Sequence, residues 1–279
     1  MITNIMTDEQ ILNELKKYSF YHRIEVKEGI YTRETANTHF SHRKLFKYLD
    51  TIDFKNKKVL DVGCRDGVFC FYAEKKGAKE VIGIDNFVSK GTVEFLIPYF
   101  NSKVKIYEKN LFDLSESDFG KFDIILFFGV LYHLREPISP IKRLSDLLEE
   151  DGLLLCETAI TDNIESKPII YVPYNTGPYD DPTSCTFFNV QGLKETFMSL
   201  NCEVLLIKKF IDRKFSNLKK IIKNILWLIF NKNKFLGIDL VIINRVLFIV
   251  KKNKIITEKT KKIDKTHDYW YRSHKEHQD

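Results

Sequence analysis

Two carboxylates 24 residues apart, each closing an apolar run, frame the stretch VLDVGCRDGVFCFYAEKKGAKEVIGIDN, residues 59 to 86. Asp61 precedes Gly63 by two residues, Gly67 follows four later, and Asp85 ends the second run. A carboxylate at the end of a buried strand is costly without a cation or several donors, so a ligand ammonium suits Asp61. Glycines allow a tight turn, and the amides that open the next helix can receive a carboxylate. Asp85 is placed to accept both hydroxyls of a ribose. A dinucleotide fingerprint starting at Gly63 requires glycines at 65 and 68, where this chain has Arg65 and Val68, so a nicotinamide dinucleotide is excluded. What remains is a ligand with an amino-acid end and a ribose. The plain alternative is a nucleotide-fold turn that holds nothing.

The elements that must position these residues are legible in the pattern. Strand-like runs occur at 57–62, 80–85, 103–107, 122–128, 152–158, 203–209 and 245–250, with helical stretches at 68–76, 89–99, 137–149 and 191–200 between them. This order predicts an α/β, doubly wound, Rossmann-like sheet of seven mostly parallel strands. Residues 1–50 form an N-terminal annex, with a helix over 7–18 and a hairpin around Gly29 in HRIEVKEGIYT. The main domain is expected over 51–252. Within it, 159–189 reads as a long loop without periodicity, a length that is commonly functional. Residues 211–237 form a basic amphipathic insertion, and 253–279 a basic tail.

Ammonium, carboxylate and ribose together describe S-adenosylmethionine (SAM), and the chain resembles the class I SAM-dependent methyltransferases. The resemblance rests on D-x-G-x-x-x-G at 61–67, on Asp85 and on the later FDIILFFGVLYH. It implies that Asp61, Gly63 and Gly67, with Cys64 and Arg65 of the turn, hold the methionine moiety. It also implies Asp85 at the ribose, Asn110 and the Leu111 amide at the adenine edge, and Asn86 and Phe128 among the cofactor-binding residues. Arg65 departs from the usual middle glycine, and its side chain is expected to point outward.

The segment GVLYHLREPISPIKRLSDLLEEDGLLLCET, residues 129–158, is similar to the tRNA wobble-uridine 5-oxyacetic acid methyltransferase group and its broad relatives. The likeness extends to YHRIEVKEGIYT and FFNVQGLKETF. Members of that group use carboxy-SAM, whose extra carboxylate meets a lysine upstream of the turn and a tyrosine matched here by Tyr132. Residues 27–50, KEGIYTRETANTHFSHRKLFKYLD, lack the Lys-Gly-Pro context of that lysine, so ordinary SAM is expected and carboxy-SAM is the lesser reading.

Methyl transfer to a hydroxyl needs positioning and a base. His133, after the fourth strand, is the first candidate, against a role in packing the loop. Glu157 is expected to orient the acceptor or a histidine, or else to cap neighbouring amides. Tyr132 covers the methyl group or forms a wall. His39 and His42 stand as annex residues that reach over the cofactor or face solvent, and Tyr174, Asp180 and Asp181 as polyol contacts of a lid.

Composition limits the remaining choices. Hydrophobic residues at 44% and charged residues at 29% are globular values. Residues 208–279 carry 19 Lys and Arg against 7 Asp and Glu, net +12, so the rest of the chain is −6. A basic block either meets an anionic partner or is a solvated tail. The stripe in 214–236 suits a peripheral membrane contact, a dimer contact or core. The five cysteines form no CxxC pair and read as buried thiols without a metal site. The first residues lack the order of a signal peptide and no apolar run reaches about 20 residues, which predicts a cytoplasmic protein. The leading expectation is a methyltransferase acting on a hydroxyl of a small molecule or surface-glycan sugar. Alternatives are a tRNA wobble-uridine (carboxy)methyltransferase and a SAM-binding protein without turnover. Oligomeric state is left open.

Overall fold

The computed structural model describes residues 6–34, 40–161, 167–173, 183–210 and 243–254. Its N-terminal part comprises α1 (Asp8–Leu15), a small hairpin of β1 (Glu25–Lys27) and β2 (Ile30–Tyr31), and α2 (Phe40–Leu49). Next come β3 (Lys58–Val62), α3 (Val68–Lys75), β4 (Glu80–Asp85), a π-helical turn over Thr92–Leu96 and α4 (Ile97–Tyr99). They lead into β5 (Lys105–Glu108), α5 (Glu116–Phe119), β6 (Phe122–Phe128), α6 (Ile138–Asp146) and β7 (Leu148–Thr161). The chain closes with β8 (Ile170–Tyr171), β9 (Phe187–Phe188), α7 (Val190–Ser199), β10 (Cys202–Phe210) and β11 (Ile243–Lys252).

The main sheet runs β10-β11-β7-β6-β3-β4-β5. Pairs β7-β6, β6-β3, β3-β4 and β4-β5 are parallel, whereas β11 lies antiparallel to both β7 and β10. This is the expected doubly wound, mostly parallel sheet. The order reverses at β3: the chain moves outward to β4 and β5, then returns to β6 on the other side. That reversal leaves a crevice at the carboxyl ends of β3, β4 and β6.

Strands buried on both faces read as continuous apolar runs. In FDIILFF of β6 every residue but Asp123 is buried. Along β3, Leu60 and Val62 face a core that contains Ile141 and Leu144 of α6 and Phe197 of α7. Val59 faces the opposite core, with Leu45 and Leu49 of α2 and Phe69 and Ala73 of α3. By the same alternation Asp61 points to the α3 side.

A third apolar cluster joins the annex to the domain. Ile11, Leu15, Phe20, Ile24, Val26 and Ile30 pack with Phe95 and Leu96 of the π-helical turn. Pro98 follows that turn, and its missing N–H cannot donate to an earlier carbonyl, which accounts for the irregular winding where a regular helix over 89–99 is expected. The stretch 159–189 also departs from an unstructured loop. Its first residues extend β7, and β9 pairs with the end of β7 through Phe188 and Ile160. No helix among the described residues is long and apolar enough to cross a membrane. The basic segment 211–237 and the tail beyond 254 lie outside the described residues, as do the contacts expected of them.

Candidate active site

The turn after β3 takes an alternating path, with positive φ at Gly63 (76°), Arg65 (49°) and Gly67 (75°). A Cβ on Gly63 would stand 2.3 Å from Cγ2 of Val130, so glycine is needed there for space as well as for conformation. Arg65 adopts the left-handed region despite its side chain, and its guanidinium lies 4.5 Å from the centre of the exposed Phe87 ring. Its amide donates to Oδ2 of Asp85 at 2.9 Å, while the Phe87 amide donates to Oδ1 at 2.8 Å. Both Asp85 oxygens are thereby oriented, and each retains a lone pair for a further donor.

A cavity of about 430 Å³ opens at this crevice. Of the residues singled out from sequence, Gly63, Arg65, Asp85, Asn86, Asn110, Leu111, Phe128, Tyr132 and His133 line it. Asn110 caps the short helical turn after β5, its side-chain oxygen accepting from the Phe112 amide at 2.9 Å. Its NH₂ group is left to read an acceptor.

Asp61, Cys64 and Gly67 lie behind this wall instead. Asp61 is 1% exposed and meets the Cys70 thiol, which donates at 3.3 Å; no cation is within ion-pair distance among the described residues. Burial, helped by the charge of Asp85, pushes its carboxyl up to about 7. Cys64 and Cys70 pack over Gly83, where an added Cβ would come within 2.8 and 2.9 Å of their sulfurs. Burial holds the Cys70 thiol well above its ordinary value, so it stays protonated and donating.

Beyond β6, Leu131–His133 form a single helical turn. His133 Nδ1 lies 3.0 Å from the Thr183 carbonyl and 2.9 Å from its hydroxyl. A carbonyl only accepts, so this contact favours the tautomer with the proton on Nδ1 and the basic lone pair on Nε2. The Tyr132 carbonyl accepts from the amides of Cys185 and Thr186 at 2.9 and 3.2 Å, tying the segment before β9 to the cavity wall.

Glu157 occupies a different place from the one expected. It is fully buried and does not reach the cavity; its carboxylate takes a bidentate pair from Arg245, at 2.7 Å to Nε and 2.6 Å to Nη2. Of this pair it is the guanidinium of Arg245 that lines the cavity, 4.8 Å from the centre of the Tyr132 ring. Arg245 was not among the residues singled out. Its signal was a lone arginine at the head of the apolar run RVLFIV, matched by a lone glutamate in GLLLCET. Tyr21 and His22 of the annex also line the cavity. His39, Tyr174, Asp180 and Asp181 lie outside the described residues, as does the side chain of His42.

A family model described as a methyltransferase domain matches residues 35–207. The tRNA U34 carboxymethyltransferase of Helicobacter acinonychis is 38% identical over 112 residues, 39% of this chain and 43% of that protein. The match thus spans less than half the length of such relatives. The N-terminal domain of EvdMO1, crystallised in the presence of SAH and D-fucose, superposes with a TM-score of 0.60 at 14% identity, covering 91% of this chain and 99% of that one. A SAM-dependent methyltransferase structure from Listeria monocytogenes gives a TM-score of 0.53 at 15% identity, with 77% and 100% covered. At those identities the likeness is one of fold.

Proposed function

We propose that the chain, which belongs to the methyltransferase-domain family, binds SAM in this cavity and transfers its methyl group to a hydroxyl of a small molecule or glycan sugar. One observation carries the reading: ribose-type, adenine-type and base-type groups converge on a single cavity at the topological switch point. The fit to SAM rests on the turn itself, where alternating left-handed residues and the absent Cβ of Gly63 leave room beside the backbone.

Bound SAM supplies an electrophilic methyl group. The protein's own residues then have distinct tasks. The 63–67 turn borders the methionine moiety, Asp85 accepts the ribose hydroxyls, and Asn110 with the Leu111 amide reads the adenine edge. Phe128 and Tyr132 wall the cavity and exclude water. His133, with Nδ1 held by Thr183, offers Nε2 to take the proton of the acceptor hydroxyl as oxygen attacks. Glu157 keeps Arg245 fixed against Tyr132. A sugar acceptor is supported by the crystallisation of the EvdMO1 domain with D-fucose.

A second reading has its own support. The U34 carboxymethyltransferase relatives act on tRNA, and a carboxylate beside the reacting carbon would find a cation at Arg245, next to Tyr132. The test is transfer of a radiolabelled methyl group to nucleotide sugars and free sugars, and to undermodified tRNA, with SAM and carboxy-SAM in competition. Labelled sugar from SAM supports the proposal. Carboxymethylated tRNA in its place overturns it.

A further inference from the structure

Residues 21 and 22 belong to no helix or strand, yet side chains engage all four of their backbone polar groups. The Tyr21 and His22 amides both donate to Oδ2 of Asp66, at 2.7 and 2.5 Å. Arg33 donates from Nη1 to the Tyr21 carbonyl at 2.8 Å, and the Thr32 hydroxyl donates to the His22 carbonyl at 2.6 Å. Asp66 is 1% exposed, and Nδ1 of His22 lies 3.3 Å from the same oxygen. Phe20 rests on Gly91, where a Cβ would come within 2.4 Å of its ring. Backbone that forms no ladder but is satisfied this fully is held in one place.

What is held there is a wall of the cavity, since Tyr21 and His22 line the same space as Gly63 and Asp85. Asp66 itself sits within the turn that carries Gly63 and Arg65. The holding group and the cofactor-side turn are therefore one piece of chain.

We propose that Asp66 is a positioning residue that couples the cofactor turn to the annex, so that occupation of the cavity and seating of Tyr21 over it favour each other. The inference rests on the reading that the cavity binds SAM, and its experiment separates the two. Such coupling is reciprocal: a ligand that orders the turn tightens the annex, and loosening the annex weakens the ligand.

The probe is S-adenosylhomocysteine (SAH). Its affinity is measured by calorimetry for wild type, Asp66→Ala, Tyr21→Ala and the double variant. Hydrogen exchange at the Tyr21 and His22 amides is followed with and without SAH. Expected are a loss of about 10-fold or more for each single variant, no further loss in the double variant, and SAH-dependent protection of both amides in wild type. Asp66→Asn, which keeps an oxygen for the two amides, should recover most of the affinity. Should Asp66→Ala fail to fold, Arg33→Ala releases the same peptide from its other side and should weaken SAH in the same direction.

Losses that add in the double variant, or annex amides indifferent to SAH, overturn the coupling while leaving the cofactor assignment intact. Absence of SAH binding to wild type overturns both.

Discussion

Asp61→Asn tests why the fold keeps a carboxylate where it is costly. Asp61 is 1% exposed, with the Cys70 thiol at 3.3 Å and no cation near it among the described residues, and its carboxyl is raised from the usual 3.8 to about 7. A group whose pKa is raised on folding holds its proton more tightly in the native state. Its contribution to stability is complete below about pH 3.8 and is lost as the pH rises through about 7. At 1.36 kcal/mol per pH unit, that interval corresponds to roughly 4 kcal/mol. Asparagine keeps the size and an acceptor for the thiol but cannot ionise. Urea unfolding at pH 8.5 should therefore show the variant more stable than wild type by up to about 4 kcal/mol, with the advantage shrinking toward pH 5. Affinity for SAH should move the opposite way under the expectation that the ionised carboxylate, though behind the cavity wall, attracts the ligand ammonium. A stability difference that does not vary with pH would refute the burial argument. Undiminished SAH binding by the variant would show that the ammonium is met elsewhere.

Three further outcomes follow from the same geometry. Glu157→Ala removes the buried carboxylate paired with the Arg245 guanidinium and should cost about 3–5 kcal/mol in urea unfolding, whereas Lys76→Ala, which breaks an exposed pair with Asp50, should leave the unfolding midpoint nearly unchanged. Gly63→Ala places a Cβ 2.3 Å from Val130 at φ 76°, so calorimetric scanning should find a loss of about 2 kcal/mol or more, accompanied by weaker SAH binding. His133→Ala should lower methyl transfer by about 100-fold or more in a radiolabel assay and leave SAH affinity nearly unchanged, as expected of a general base; an undiminished rate removes His133 from the mechanism.

The sheet was legible because buried parallel strands leave runs such as FDIILFF, and because turn glycines and strand-end acids mark the crevice. The seven runs recover the seven main strands, and nine of the residues singled out line one cavity. Pairings across the sheet were not legible. Glu157 reads as a group at a strand end, and only the return of β11 beside β7 shows that Arg245 takes its charge and faces the cavity in its place. Asp66 was hidden for a similar reason. Within DVGCRDG it looks like one more polar turn residue, and its role depends on donors 44 and 45 residues earlier. Asp61 shows the converse, since its type and position are as expected but its side chain turns toward α3, behind the cavity wall. Pattern identifies elements and special backbone positions, while long-range partners of single charged groups require the fold.

The central claim is that the cavity at the ends of β3, β4 and β6 holds SAM through Asp85. Calorimetric titration of the wild-type protein and of Asp85→Ala with SAH tests it most directly. One-to-one binding by wild type, weakened about 10- to 150-fold in the variant by loss of charge-assisted hydrogen bonds, is the predicted result. Equal affinity in the two proteins, or no binding by wild type, would contradict it.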